Sequence, residues 1–200
     1  VGSPLARDPA MNIVEYADRD MLMIDLANTL AGDLETALTA HGVASLAVPG
    51  GTTPAPMFDY LSGADLDWAK VTVMLTDERW VPEDSESSNT GLIRRHLLTV
   101  RAGAAGFVPV YGSTDTPEGS LATVAEAVTP HLPISVMVLG MGADMHTASI
   151  FPGADRLDDA LAADAPPLMA MRAPGAPEPR ITLPAPVLQG ALAVPLLITG

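Results

Sequence analysis

The chain has 200 residues, of which 48% are apolar and only 4% aromatic, enough for one domain with a core built mostly from Ala, Leu, Val and Met. Its formal net charge of -14 argues against nucleic acid or an anionic membrane as a partner, because the summed field repels phosphate groups. The absence of cysteine excludes disulfides and cysteine nucleophiles, and no apolar run is long enough to span a membrane. These features are compatible with a cytoplasmic protein, which is the location we expect.

Helix and strand signals alternate along the chain. In chain order, the strands are predicted at 12–16, 43–48, 71–75, 107–110, 134–139, 168–171 and 196–199, and the helices at 19–41, 55–61, 90–98, 117–131, 155–165 and 187–192. The first helix has the clearest limits, because Asp18 is a suitable N-cap and Gly42 a suitable stop. The alternation predicts an α/β fold, a single-domain open, mostly parallel sheet with helices on both faces.

The two ends of the chain carry separate expectations. Residues 1–10 contain Gly, Pro and Arg without an apolar signal core, and we predict that they are a vector-derived leader. Residues 11–200 are predicted to form one domain. Its last strand runs into Gly200, whereas an α/β domain normally continues into a covering helix, so we expect the domain to lack a C-terminal segment.

A glycine-rich turn, residues 49–54, links the strand at 43–48 to the next helix. Backbone N–H groups, two threonine hydroxyls and a helix N-terminus face such a loop, so it is a candidate anion cradle. It lacks the Gly-Lys-Ser/Thr ending of a Walker A loop. The alternative is that the two glycines only connect a strand to a helix.

The stretch after the third strand places Asp77, Glu78 and Arg79 beside Trp80. Charges at this end of a buried strand are costly unless they pair with one another or meet a ligand. The segments 76–82 and 173–179 are predicted to be loops, with an ion pair inside the first as the alternative to a ligand site.

The central motif is an apolar strand that ends in Gly140 and Gly142, followed by Asp144 and His146. In open α/β sheets, ligands bind beyond the carboxyl ends of the strands. An imidazole can transfer protons near neutral pH, so His146 is a candidate base. The alternative is a hydrogen-bonded structural histidine. Thr147 is predicted to cap a short helix that ends at Pro152-Gly153.

Four stretches together resemble the 6-phosphogluconolactonase family, within the wider group that includes glucosamine-6-phosphate deaminases. They are Pro-Gly-Gly-Thr-Thr-Pro at 49–54, Asp-Glu-Arg-Trp-Val-Pro at 77–82 with Ser-Asn at 88–89, the segment 140–153, and Arg-Ile-Thr-Leu at 180–183. Each is modest alone, but in this order and spacing they are highly specific. The resemblance implies a Rossmann-like fold and hydrolysis of 6-phospho-D-glucono-1,5-lactone to 6-phospho-D-gluconate in the oxidative pentose phosphate pathway.

The resemblance also implies roles for individual residues. His146 is the base that activates water, and Asp144 orients a donor or stabilises the imidazolium. Arg79 and Arg180 supply charge to the phosphate, and the glycine turn at 140–142 is a source of N–H donors for the oxyanion. The residues expected to bind the sugar and its phosphate are Gly50, Gly51, Thr52, Thr53, Asp77, Arg79, Asn89, Gly142 and Arg180.

No metal or organic cofactor is expected. The expected partner is a sugar-phosphate lactone, bound by a monomer or weak homodimer, without nucleic acid or membrane.

Two departures from the family pattern matter. Met145 stands where the family usually has Gly, and would strain the turn if that position needs a positive φ. The family's last strand is also followed by Gly-x-x-Lys, whose Lys contacts the phosphate, and Gly200 is the final residue here.

Several alternatives remain beside the lactonase assignment. A non-catalytic sugar-phosphate-binding homologue and a glucosamine-6-phosphate deaminase-like isomerase are the nearest. Arg79-Trp80 stands where deaminases typically have Tyr, and the segment after His146 lacks their Glu. A serine hydrolase built on Ser149 would require three residues on one short turn to form a relay.

Overall fold

The computed structural model describes residues 12–112 and 114–199, so the predicted leader at 1–10 lies outside the described residues. The helices are α1 (Arg19–His41), α2 (Ala55–Ser62), α3 (Asn89–His96), α4 (Leu121–Val128), α5 (Leu157–Leu161) and α6 (Ala185–Gln189). The strands are β1 (Ala44–Val48), β2 (Val71–Leu75), β3 (Asp77–Arg79), β4 (Gly106–Phe107), β5 (Val136–Met137), β6 (Leu139–Gly140), β7 (Met169–Ala173), β8 (Ala176–Thr182) and β9 (Leu196–Leu197).

A parallel sheet of order β4-β2-β1-β5 forms the centre of the fold. The path continues from β5 into β6, because Val138 N–H donates to the Ala47 carbonyl (2.9 Å) and Leu139 N–H to the Pro195 carbonyl (3.0 Å). Strand β6 then pairs in parallel with β9. The predicted α/β fold with a mostly parallel sheet is confirmed. The carboxyl ends of β1, β2 and β6 consequently meet at one edge.

Helix α1 has the predicted limits for the predicted reasons. The Asp18 carboxylate accepts hydrogen bonds from Asp20 N (2.7 Å) and Met21 N (3.2 Å), and Gly42 ends the helix with a φ of 76°. One side of the helix is buried in the main apolar core; its residues are Met23, Ala27, Leu30, Leu34 and Ala37. The helical spacing of these residues made the element predictable.

A second, antiparallel sheet of order β3-β8-β7 corrects two predictions. The segments 76–82 and 173–179 are not simply loops, because β3 and most of β8 lie within them. Pro177 and Pro179 conceal β8 in the sequence. Both prolines lie between Ala176 and Arg180, the residues of β8 that pair with β7 on either side of a register shift. A proline has no N–H to donate, and such an irregular position tolerates its absence.

Two further predicted elements are wrong in whole or part. Residues 12–16 form no strand within the described chain, and Ile13 and Val14 are largely exposed. The helix predicted at 155–165 is only Leu157–Leu161. Asp155 instead bonds to β7, since its N–H donates to the Arg172 carbonyl (2.9 Å) and its carboxylate accepts from Arg172 N (2.9 Å).

Candidate active site

A cleft of about 480 Å³ lies at the edge where the parallel strands end. It is bounded by the 49–54 turn, by β3 and β8, and by the segment that follows β6. The predicted site residues that line the cleft are Gly50, Gly51, Thr53, Asp77, Arg79, Asn89, Gly142, His146 and Arg180. Thr52 and Asp144 are exposed and do not line it. All four sequence stretches therefore contribute residues to one cavity.

His146 is presented by a tight turn rather than by the start of a helix. Gly142 N–H donates to the His146 carbonyl, and Met145 N–H donates to the Gly142 carbonyl, both at 2.9 Å. Met145 has a φ of 65° and Ala148 a φ of 51°. The short helix predicted after Thr147 is wrong, because the Thr147 hydroxyl donates to the Gly140 carbonyl (3.0 Å) and the chain continues through turns.

The imidazole of His146 is held at its Nδ1 atom. This atom lies 2.5 Å from Oδ1 of Asp144, and the hydrogen bond holds the pKa of the Asp144 carboxyl below its usual value. A Cβ atom on Gly142 would lie 2.3 Å from both Cε1 and Nδ1 of the ring, so only glycine admits the imidazole here. Within the described residues, Nε2 makes no hydrogen bond, which leaves it as the ring's available proton acceptor in the cleft.

Phe151 completes the surroundings of the imidazole. Its ring centroid lies 4.1 Å from that of His146, with an angle of 31° between the planes. The guanidinium carbon of Arg180 lies 5.7 Å from the same centroid. No role was assigned to Phe151 from the sequence, although it lies in the 140–153 motif, because an isolated Phe predicts only a core residue.

Arg79 is supported by two hydrogen bonds at the rim of the cleft. Its Nη1 donates to the Ser87 carbonyl (2.8 Å) and to Oδ1 of Asn89 (2.9 Å). The Asn89 amide in turn donates to the Asp77 carbonyl (2.9 Å). A Cβ atom on Gly50 would lie 1.8 Å from Oδ1 of Asn89. The glycine therefore allows the 49–54 turn to approach Asn89, which holds Arg79 by a hydrogen bond.

The fully buried Glu78 is a second residue to which the sequence assigned no role. Its carboxylate accepts hydrogen bonds from the backbone N–H groups of Arg79 (2.8 Å), Asn89 (2.8 Å) and Thr90 (2.7 Å), and from the Thr90 hydroxyl (2.8 Å). Burial raises the pKa of this carboxyl, and the bonds from Asn89 and Thr90 oppose that rise. Glu78 thus fixes the N-terminus of α3, on which Asn89 is placed.

Asp77 is anchored by a residue of the His146 segment. The Ser149 hydroxyl donates to Oδ2 of Asp77 at 2.6 Å, and Ser149 is fully buried. Ser149 N–H donates to the Thr182 hydroxyl (3.1 Å). The hydroxyl therefore donates to Asp77, and within the described residues it makes no hydrogen bond to His146, which a serine-hydrolase relay would require.

Arg180 lies opposite Arg79 in the β3-β8 register. Like charges placed opposite each other on paired strands are unfavourable. Arg180 is only 8% exposed, its nearest carboxylate oxygens are 3.8 Å (Glu178) and 3.9 Å (Asp77) away, and its Nε is buried without a partner among the described residues. Burial, followed by the charge of Arg79, lowers its pKa. This pair of cations is suited to an anionic ligand.

Among the described residues, the other charged side chains do not line the cleft. Lys70 pairs with Asp67 (2.8 Å), and Arg94 pairs with Glu83 (2.5 Å) on the outer side of α3. Arg95 is exposed and likewise does not line the cleft. Within 12–112 and 114–199, no group of three or more His, Asp or Glu side chains is arranged to hold a metal ion.

The family of Glucosamine-6-phosphate isomerases/6-phosphogluconolactonase matches residues 17–200. The chain belongs to this family. A 6-phosphogluconolactonase of Rhizobium meliloti is 46% identical over 88% of this chain and 76% of its own length. One of Pseudomonas putida is 39% identical over 99% of this chain and 82% of its own. The crystal structure of a 6-phosphogluconolactonase from Shewanella baltica has a TM-score of 0.89 at 37% identity, covering 92% of this chain and 80% of that one.

Met145 adopts the backbone conformation that was expected to strain the turn. The position has a positive φ of 65°, the conformation for which glycine is best suited. The Met145 side chain is 76% exposed, so no burial offsets this backbone strain.

Among the described residues, no helix is both long and apolar enough to cross a bilayer.

Proposed function

We propose that the chain hydrolyses 6-phospho-D-glucono-1,5-lactone to 6-phospho-D-gluconate, as a 6-phosphogluconolactonase of the oxidative pentose phosphate pathway. Family membership and the named relatives support the activity. The observation that carries the proposal is that two cross-strand arginines line the same cleft as a histidine whose Nε2 has no hydrogen-bond partner in the described part of the chain. One end of a phosphorylated lactone needs cations, and the other needs a base.

The phosphate is proposed to bind between Arg79 and Arg180. A dianion placed there relieves the repulsion between the two guanidinium groups and provides a partner for the buried Arg180. Gly51 and Thr53 line the neighbouring wall, and the N-terminus of α2 follows them. Thr52 is exposed and does not line the cleft, so it is not part of the proposed phosphate site. Asn89 accepts a hydrogen bond from Arg79, and the Asp77 carboxylate lies 3.9 Å from Arg180.

His146 is proposed to act as the general base through Nε2. It removes a proton from a water molecule while the water oxygen bonds to C1 of the lactone. The resulting tetrahedral oxyanion then breaks its bond from C1 to the ring oxygen, which takes the proton back from Nε2. Asp144 at Nδ1 stabilises the imidazolium that exists between these two steps. The carboxylic acid product ionises and releases the acid that an assay detects.

Gly142 is proposed to have a steric role. Its N–H is occupied by the His146 carbonyl at 2.9 Å, and its missing side chain admits the imidazole.

The chain is further proposed to act in the cytoplasm, as a monomer or weak homodimer, without nucleic acid. The net charge of -14 supports the last point, and size-exclusion chromatography with light scattering tests the oligomeric state.

The test measures acid release from freshly generated phosphogluconolactone, corrected for the uncatalysed reaction, beside the same lactone without phosphate. The parent is expected to accelerate hydrolysis and to prefer the phosphorylated substrate. Arg79→Ala should raise KM and reduce that preference, whereas Arg94→Ala is the matched control, since Arg94 pairs with Glu83 outside the cleft. Binding of 6-phosphogluconate without any acceleration would contradict the proposal and favour a non-catalytic sugar-phosphate-binding protein.

A further inference from the structure

Phe151 is a buried aromatic residue that lines the cleft. It is 9% exposed, and it lies in neither of the two clusters of packed apolar side chains among the described residues. A buried phenylalanine ordinarily contributes stability through contacts with other apolar side chains. The burial of Phe151 therefore needs another explanation.

Two nitrogen-containing groups of the cleft contact the Phe151 ring. One is the imidazole of His146, stacked at 4.1 Å between centroids, and the other is the guanidinium of Arg180, at 5.7 Å from the ring centroid. The face of an aromatic ring carries partial negative charge and attracts cations. Arg180 is a permanent cation, and a histidine that acts as a base becomes one during the reaction.

We infer that Phe151 is a positioning residue that fixes the imidazole of His146 and the guanidinium of Arg180 against one shared ring. This inference rests on the proposed function, in which the first group activates water and the second binds phosphate. Asp144 holds the imidazole only at Nδ1, through a side chain that is 52% exposed. The stacked ring of Phe151 adds a contact from a buried side chain, which restricts the tilt of the imidazole.

The shared ring links the two ends of the substrate. Among the residues that the structure describes, the carboxylate oxygens nearest to Arg180 are 3.8 and 3.9 Å away and its buried Nε has no partner, so Phe151 supplies a contact where the ion pairs are long. The ring attracts the imidazolium more strongly than the neutral imidazole, so the contact strengthens as the reaction proceeds. Phe151 is expected to affect kcat through His146 and KM through Arg180.

The experiment compares Phe151→Leu and Phe151→Tyr in the lactone assay, with melting temperatures for each. Phe151→Leu should lower kcat by about tenfold, as expected for loss of a stacking interaction that strengthens in the transition state, and should raise KM for the phosphorylated lactone. Phe151→Tyr keeps the ring and should retain activity. The matched control is Phe58→Leu, a fully buried phenylalanine of the main core, which should lower the melting temperature without changing kcat or KM.

A second comparison separates positioning from general damage. In a His146→Ala background, Phe151→Leu should leave kcat unchanged and still raise KM, because only the contact with Arg180 remains to be lost. Parent-like kcat and KM in Phe151→Leu, beside a large loss in His146→Ala, would overturn this inference alone. A parent-like kcat in His146→Ala would overturn the proposed function and this inference with it.

Discussion

Met145→Gly tests how the tight turn that presents His146 is held. Met145 has a φ of 65° and is 76% exposed, so the backbone is in the left-handed region while the side chain makes little buried contact. An L-residue in that conformation costs about 1–2 kcal/mol relative to the right-handed helical region, a cost that glycine does not carry. Replacing Met145 by Gly removes this strain.

The gain is reduced by the greater freedom of glycine in the unfolded chain, about 0.4–1 kcal/mol. The difference leaves a stabilisation of about 0.5–1 kcal/mol for Met145→Gly. For a domain of this size, each kcal/mol changes the melting temperature by about 2–4 °C. We therefore expect an increase of about 1–4 °C. We expect kcat to stay unchanged, because the hydrogen bond of the imidazole to Asp144 and its stacking on Phe151 do not use the Met145 side chain.

Thermal unfolding by circular dichroism and differential scanning calorimetry measures this change, with two controls. Val100 also has a positive φ, 45°, is 80% exposed and lies away from the cleft, so Val100→Gly should stabilise too. Met21 is an exposed methionine of the first turn of α1, so Met21→Gly should destabilise by up to about 1 kcal/mol. A lower melting temperature for Met145→Gly would refute the strain argument.

Three further predictions concern the surroundings of the cleft and the periphery. Gly50→Ala places a Cβ 1.8 Å from Oδ1 of Asn89 and should raise KM by displacing that support; an unchanged KM would contradict this. Glu78→Ala should cost about 2–3 kcal/mol in urea unfolding, because buried N–H groups lose their acceptor; a neutral effect would contradict it. Arg172 lowers the pKa of Glu118 from 4.5 to about 2, so this exposed pair should add about 0.5–1 kcal/mol above pH 4.5 and lose it as the pH falls towards 2. The parent should therefore be more stable than Glu118→Gln above pH 4.5, and this difference should shrink as the pH falls towards 2. A difference that does not change with pH would contradict the prediction.

The elements that could be predicted are those whose pattern is local. Asp18 and Gly42 mark the ends of α1, and the apolar run before Pro49 is buried as β1. Strands β3 and β8 were missed because β3 is a three-residue strand of charged side chains and β8 contains Pro177 and Pro179. Their pairing depends on residues about 100 positions apart in the chain, and no local pattern reports such a contact.

In the candidate site too, some features could be predicted from the sequence and others depend on contacts that form only in the folded chain. Placing the 49–54 turn and His146 at one edge requires only that parallel strands end on the same side. The roles of Glu78 and Phe151 depend on what surrounds them after folding, namely the N-terminus of α3 for one and two nitrogen-containing groups for the other. A carboxylate or a phenyl ring in the sequence does not identify such neighbours.

The claim that His146 activates water is tested most directly by His146→Ala, with kcat for phosphogluconolactone and calorimetric binding of 6-phosphogluconate measured on the same preparation. Loss of a general base should lower kcat by about 10²–10⁴-fold. Binding of 6-phosphogluconate should persist, because Arg79 and Arg180 are supported by residues other than His146. A variant that turns over the lactone as fast as the parent would contradict the account.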